Sequence, residues 1–268
     1  MTRSKFRLDW SARTDRGSVR DHNEDAFAAL PEQGVWIVAD GMGGHESGDW
    51  ASQVITRSIG ELPHTADFDG LLGACSDAIH RANAEIYAKA QERGAQIGST
   101  VVGLVVSGGA FGVLWAGDSR AYLLRGGMLH QLTTDHTQVQ ALVDRGILPP
   151  EEAKTHPMSH VLAKAVGVEP TLELEGFTDS VQPGDTFLLC SDGLHGVLED
   201  AEIQQLLMQG RFDESSDALV DRCLVVGARD NVTVVIVQAQ EPTQLVFAYT
   251  GAQPAFEAPA QTATGEQA

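Results

Sequence analysis

The stretch that most restricts the fold of this chain is residues 35–44, VWIVADGMGG. A run of β-branched, aromatic and small apolar residues stops abruptly at Asp40. Three glycines, Gly41, Gly43 and Gly44, follow within four residues. A short apolar run bounded by glycine reads as a buried strand. A carboxylate at the end of such a strand costs free energy unless something compensates its charge. Glycine beside it lets the backbone approach a ligand and leaves carbonyls open for coordination. Two readings stand side by side: Asp40 holds a cation, or it starts a polar loop and bonds its own turn.

The pattern recurs. Residues 186–190 run apolar into Ser191-Asp192-Gly193, residues 111–116 end at Gly117-Asp118, and Asp230 leads into the apolar run 232–237. Antiparallel neighbours put the end of one strand beside the start of the next, so the four aspartates can share one rim of a sheet. Converging carboxylates repel, and a rim of them needs cations. No histidine occupies an equivalent position, and an all-oxygen donor set selects magnesium or manganese over zinc or copper. Two such ions lower the pKa of a shared water. Arg20 then supplies a planar fork for a phosphate. The implied chemistry is metal-assisted hydrolysis of a phosphate ester. Taken alone, the polar run with Arg20, Glu24 and Asp25 is a solvated, self-neutralising turn more often than a site.

The rest of the chain alternates between strand and helix signals. Residues 5–15 read as a strand. Helical spacing covers 51–62 and 68–93, the second stopped by Gly94. Strands 101–106 and 111–116 form a hairpin around Gly108-Gly109, and 121–124 and 128–132 follow as further antiparallel strands. Residues 135–167 are the least regular: helical pieces at 139–146 and 151–154 are broken by Pro149-Pro150 and Pro157. This insertion carries His136, His156 and His160, and reads either as a substrate-facing lid or as a surface excursion. A strand is expected over 172–178 and helices over 201–209 and 215–226. From residue 241 Pro, Ala, Gln, Thr and Gly dominate, so the division expected is a catalytic domain over 1–240 and a low-complexity, disordered tail over 241–268. Hairpin-joined strands with long helices and no strict βαβ alternation indicate an α+β domain of antiparallel sheet packed with helices.

Charge and cysteine usage exclude other classes. The net charge is −19, from 37 acidic and 18 basic side chains, the wrong sign for a nucleic-acid phosphate backbone or an anionic membrane surface. Cys75, Cys190 and Cys223 are odd in number and far apart, which suggests no disulfide framework and suits a reducing compartment. The first ten residues lack the apolar core of a secretion signal, and no apolar run reaches the length of a membrane span. A cytoplasmic monomer is expected.

Six motifs in order, RDHNED at 20–25, ADGMGGH at 39–45, GST at 98–100, GDSR at 117–120, SDGL at 191–194 and RDN at 229–231, resemble the metal-dependent PPM (PP2C-type) serine/threonine protein phosphatases of bacterial type. The resemblance spans about residues 6–240. It implies a four-layer α-β-β-α sandwich, two antiparallel sheets flanked by helices, with Mn²⁺ or Mg²⁺ in a cleft at one end. Position by position, it implies that Asp40 bridges two ions and that the Gly41 carbonyl binds the first. Asp192 and Asp230 would bind the second, and Glu24 and Asp25 would hold metal waters. Asp118, with Asp192, would match a weaker third ion, Arg20 the phosphate-binding arginine, and residues 138–165 the flap beside the site. Phosphorylated proteins would be the substrates and a serine/threonine kinase the counterpart. Eukaryotic members carry a histidine where this chain has Met42, so the leaving-group proton must come from elsewhere: a water, or a flap histidine such as His156 or His160, with His45 of similar standing. Two other readings compete. One is a non-catalytic phosphoprotein-binding module on the same fold. The other is a cysteine phosphatase, since residues 75–81 and 223–229 both fit C-x5-R. Such a cysteine belongs in a phosphate-cradling loop, and both of these fall in helical runs.

Overall fold

The computed structural model describes residues 5–43, 46–65, 67–153, 156–209 and 211–241. In chain order the elements are β1 (Arg7–Asp15), β2 (Asp25–Leu30), β3 (Val35–Met42), α1 (Glu46–Gly60), α2 (Phe68–Arg93), β4 (Gly98–Ser99), β5 (Val101–Ser107), β6 (Ala110–Ala116), β7 (Arg120–Arg125), β8 (Met128–Gln131), α3 (Gln138–Asp144), α4 (Pro150–Ala153), β9 (Glu175–Ser180), β10 (Thr186–Cys190), α5 (Asp192–His195), α6 (Asp200–Gln209), α7 (Ser215–Val226) and β11 (Val232–Gln240).

Two antiparallel sheets result. One runs β1-β11-β10-β7-β8, the other β2-β3-β5-β6-β9, with the short β4 paired to the end of β3. The central strands are apolar along most of their length because both of their faces are covered. On β3, Trp36 and Val38 point into the space between the sheets, while Val35, Ile37 and Ala39 pack under α1 and α2. On β11, Val235 and Val237 face the other sheet, while Val234 and Ile236 meet Leu219, Val220 and Cys223 of α7. Three cores between four layers, α-β-β-α, follow from that alternation. The expected α+β sandwich is therefore the fold observed.

Most element boundaries fall within a few residues of expectation. Helix α2 covers 68–93, begins at the Asp67 cap and ends at Gly94 in the left-handed region. Helix α1 starts five residues before the apolar spacing does. The strand expected at 172–178 is displaced to Glu175–Ser180. The alternation at Leu172 and Leu174 belongs to packing onto the helix layer, not to the ladder. Strand β2 escaped detection because its residues are small and only partly buried beyond Asp25. The stretch 242–268 lies outside the described residues. No helix among the described residues is long and apolar enough to cross a membrane.

Candidate metal centre

The sandwich brings the aspartates to one end. Asp40 stands near the end of β3, Asp118 in the turn from β6 to β7, Asp192 at the start of α5 directly after β10, and Asp230 two residues before β11. All four line one cleft of about 530 Å³, together with Arg20, Glu24 and Gly41. Asp25 does not line it. It sits one strand behind, opposite Asp40 in the β2–β3 ladder.

The carboxyls strongly perturb one another. Burial, then the charges of Asp25, Asp192, Asp118 and Asp230, hold Asp40 well above the usual carboxylate range. Burial, then Asp192, pushes Asp118 up to about 8. Burial pushes Asp25 up to about 7, against the lowering effect of its hydroxyl partners. Burial and Asp230 raise Asp192 to about 6, despite His160, Arg20 and a hydrogen bond with the Asp40 carboxyl. Desolvation and like charge act in the same direction throughout. Asp25 accepts a 2.7 Å hydrogen bond from Ser191 Oγ at one oxygen, while its buried Oδ1 has no hydrogen-bond partner.

A hard divalent cation fits this donor set. The donors are oxygens, and the excess negative charge is concentrated where a cation would neutralise it. Gly41 also fits as a close-approach residue: a Cβ there would lie 2.0 Å from the Gly48 carbonyl oxygen and 2.8 Å from that of Glu24. Among the described residues, no three acidic, histidine or cysteine side chains stand at the spacing of a single ion's shell.

Neighbouring hydroxyls and amides hold the carboxylates in place. The Asp40 N–H donates to Thr100 Oγ1 at 3.1 Å, the Thr100 N–H returns to the Asp40 carbonyl at 2.8 Å, and Ser99 Oγ donates to the same carbonyl at 2.9 Å. Thr100 Oγ1 and Ser119 Oγ share a 2.7 Å bond. Asn231 ties the opposite wall: its Oδ1 accepts the Glu24 N–H at 2.8 Å, and its Nδ2 donates to the carbonyls of Arg16 and His22. In the sequence Ser99, Thr100 and Asn231 stand out only as members of the GST and RDN motifs. Their membership in those motifs is the available signal, but their roles depend on contacts across 59 to 215 residues of chain.

Arg20 reaches the cleft, but its Nη2 donates to Asp230 Oδ2 at 2.7 Å. Of the flap histidines, His160 lines the cleft, whereas His156 does not and instead accepts the Met158 N–H. His45 lies outside the described residues. Cys75 and Cys223 are buried on apolar helix faces, and burial pushes both thiols up to about 12, the opposite of a reactive thiolate. The cysteine-phosphatase reading fails on that environment.

A sequence profile described as Protein phosphatase 2C matches residues 15–233. The chain is 38% identical over 241 residues to the Serine/threonine protein phosphatase PstP of Mycobacterium tuberculosis, covering 88% of this chain and 46% of that protein. The chain thus spans about half the length of that relative. It is 36% identical over 238 residues to the Serine/threonine phosphatase stp of Listeria innocua, covering 84% of this chain and 94% of the relative. Its fold superposes on the catalytic domain of PstP in complex with two manganese ions with a TM-score of 0.76 at 35% identity, over 87% of this chain and 98% of that one. Profile, relatives and fold agree with the acidic cleft: this chain belongs to the protein phosphatase 2C family.

Proposed function

We propose that this chain hydrolyses phosphoserine and phosphothreonine on proteins, with Mn²⁺ or Mg²⁺ held in the acidic cleft. The observation that carries the reading is the convergence of Asp40, Asp118, Asp192 and Asp230, from four separate parts of the chain, on one cleft where burial and neighbouring carboxylates raise Asp40, Asp118 and Asp192. Asp40 would bridge two ions, the Gly41 carbonyl would hold the first, and Asp192 and Asp230 the second. Asp118 with Asp192 would take a weaker third. Glu24 lines the cleft and Asp25 backs it, so both are assigned to ordered water around the ions. When bound, the ions supply Lewis acidity, lowering the pKa of a water and offsetting the phosphate charge. Arg20, at the cleft wall, orients the phosphate once its guanidinium is released from Asp230. The catalytic unit is residues 1–240. Its physiological counterpart is a kinase that makes the same phosphoesters. Three buried thiols with no disulfide suit the cytoplasm.

The experiment is hydrolysis of p-nitrophenyl phosphate and of a phosphothreonine peptide by metal-stripped protein, with manganese, magnesium or zinc added back. Restoration by manganese and its loss in Asp192→Ala are expected. Turnover that survives chelation, or none under any metal, would overturn the reading.

A further inference from the structure

The peptide that carries Asp118 lies between two histidines. On one side, the buried Gly117 N–H donates to His136 Nδ1 at 3.1 Å, and the His136 N–H donates back to the Gly117 carbonyl at 2.9 Å. On the other, His195 Nε2, in α5, is 3.0 Å from the Asp118 carbonyl oxygen. A carbonyl only accepts, so His195 Nε2 carries a proton. A backbone N–H only donates, so His136 Nδ1 is bare and its proton sits on Nε2, which donates to Glu175 Oε1 at 2.9 Å. The two imidazoles therefore act on adjacent residues with opposite polarity.

We propose that His136 and His195 form a clamp that positions the backbone of Asp118, and so fixes the reach of its carboxylate into the cleft. The proposal rests on the assignment of Asp118 to the weaker metal position. His136 itself is held rigidly. Its ring stacks on Trp115, with centroids 6.2 Å apart and planes 15° apart, and Glu175 is shared with Lys164 Nζ at 3.1 Å. Burial, then the Lys164 charge, lowers the pKa of His136 and favours the neutral ring that the clamp needs. The His136 carbonyl also accepts the N–H of Ala163, a flap residue at the cleft wall. His136 thus joins the Asp118 turn and the flap through one residue. The other groups around it are Asp135 and Glu175, both acidic, and neither replaces Nδ1 as the acceptor for Gly117. Neither histidine touches a reacting atom here, so both are positioning residues.

Side-chain geometry makes the test specific. The amide oxygen of asparagine occupies the place of Nδ1, and the amide nitrogen of glutamine reaches the place of Nε2. At position 136 the acceptor matters, so His136→Asn should preserve the clamp and His136→Gln should lose it. At position 195 the donor matters, so His195→Gln should preserve it and His195→Asn should lose it. The first readout is hydrogen exchange of the Gly117 and Ser119 amides in the metal-free full chain. Exchange should accelerate about tenfold or more in the two failing variants only. The second is calorimetric titration with manganese, where the weakest site should lose about tenfold in affinity in the same two, the scale expected of outer-shell partners. Asparagine and glutamine behaving alike at both positions would overturn the clamp. If the exchange pattern holds while Asp118→Asn binds manganese like the unaltered chain, the clamp stands and the metal assignment of Asp118 falls.

Discussion

Asp25 and Asp40 face each other directly across the β2–β3 ladder. The next pairs along it, Ala26 with Ala39 and Phe27 with Val38, are apolar. Like charges directly opposite on neighbouring strands destabilise a sheet, and burial makes the pair costlier. Ser191, just beyond the end of β10, donates to one oxygen of Asp25, while the charge of Asp25 still pushes Asp40 up. The fold thus keeps an unfavourable pair at the edge of the acidic cleft, where like charges accumulate.

Without metal, this cost should show as pH dependence. Unfolded aspartates titrate near pH 4. Folded values raised to about 6 for Asp192, 7 for Asp25 and 8 for Asp118 mean that the folded chain holds protons the unfolded chain releases. Their contribution is fully present below about pH 4 and is lost as pH rises through those values. In excess chelator, the thermal midpoint should fall between about pH 5 and pH 9, and manganese should flatten the fall. A midpoint that climbs over that range in chelator contradicts the cluster's electrostatics.

At a pH where Asp40 is ionised, Asp40→Asn removes one charge from the centre of the repulsion. In chelator at such a pH the variant should be more stable than the unaltered chain, by about 1 kcal/mol or more, because a charge buried among like charges is lost. The manganese-induced rise in midpoint should disappear, and turnover should drop by more than the roughly hundredfold typical of outer-shell changes. Thermal melts with and without manganese, beside a phosphatase assay, separate the two effects. Equal destabilisation under both conditions would place Asp40 in an ordinary structural role.

Gly117→Ala should destabilise the fold. At φ +114° an L side chain is strained, and its Cβ would lie 2.6 Å from Thr100 Cβ, the residue that holds Asp40. A loss of about 1–3 kcal/mol is expected from the strained backbone conformation alone. Denaturant unfolding measures it, and a change below about 0.5 kcal/mol would show that the turn relaxes freely.

Arg20→Ala should spare stability and impair substrate handling. Its pair with Asp230 is 52% and 40% exposed at the two side chains, a setting in which ion pairs contribute little. Loss of a charge-assisted phosphate contact costs about 1–3 kcal/mol, roughly a 5- to 150-fold loss in kcat/KM. Arg20→Lys should recover only part, since a lysine lacks the planar fork. Full activity in Arg20→Ala would remove Arg20 from the site.

Much of the fold was readable from local pattern. Apolar runs of five to six residues, punctuated by glycine and aspartate, marked β3, β10 and β11, and 3.6-residue spacing marked α2 and α7, because burial imposes those periods on any chain. Half-buried β2 and the displaced β9 were not readable that way. Small residues carry no clear period, and Leu172 and Leu174 borrowed a strand-like alternation from packing against α2.

The site divides similarly. The sequence alone picked out Asp40, Asp118, Asp192 and Asp230, each at a strand end beside glycine or a turn, and the fold brings those four to one cleft; it also placed Cys75 and Cys223 on apolar helix faces, where the structure buries them. Tertiary structure alone decided that Asp25 backs the cleft while Asp40 lines it, that Arg20 reaches Asp230, and that Thr100, Asn231, His136 and His195 bond to the backbone of the cleft residues or their neighbours. Those contacts join residues 15 to 215 positions apart. A hydrogen bond needs donor and acceptor within about 3 Å. Local periodicity says which face a side chain takes, while the pairing of the two sheets decides which distant partner it meets.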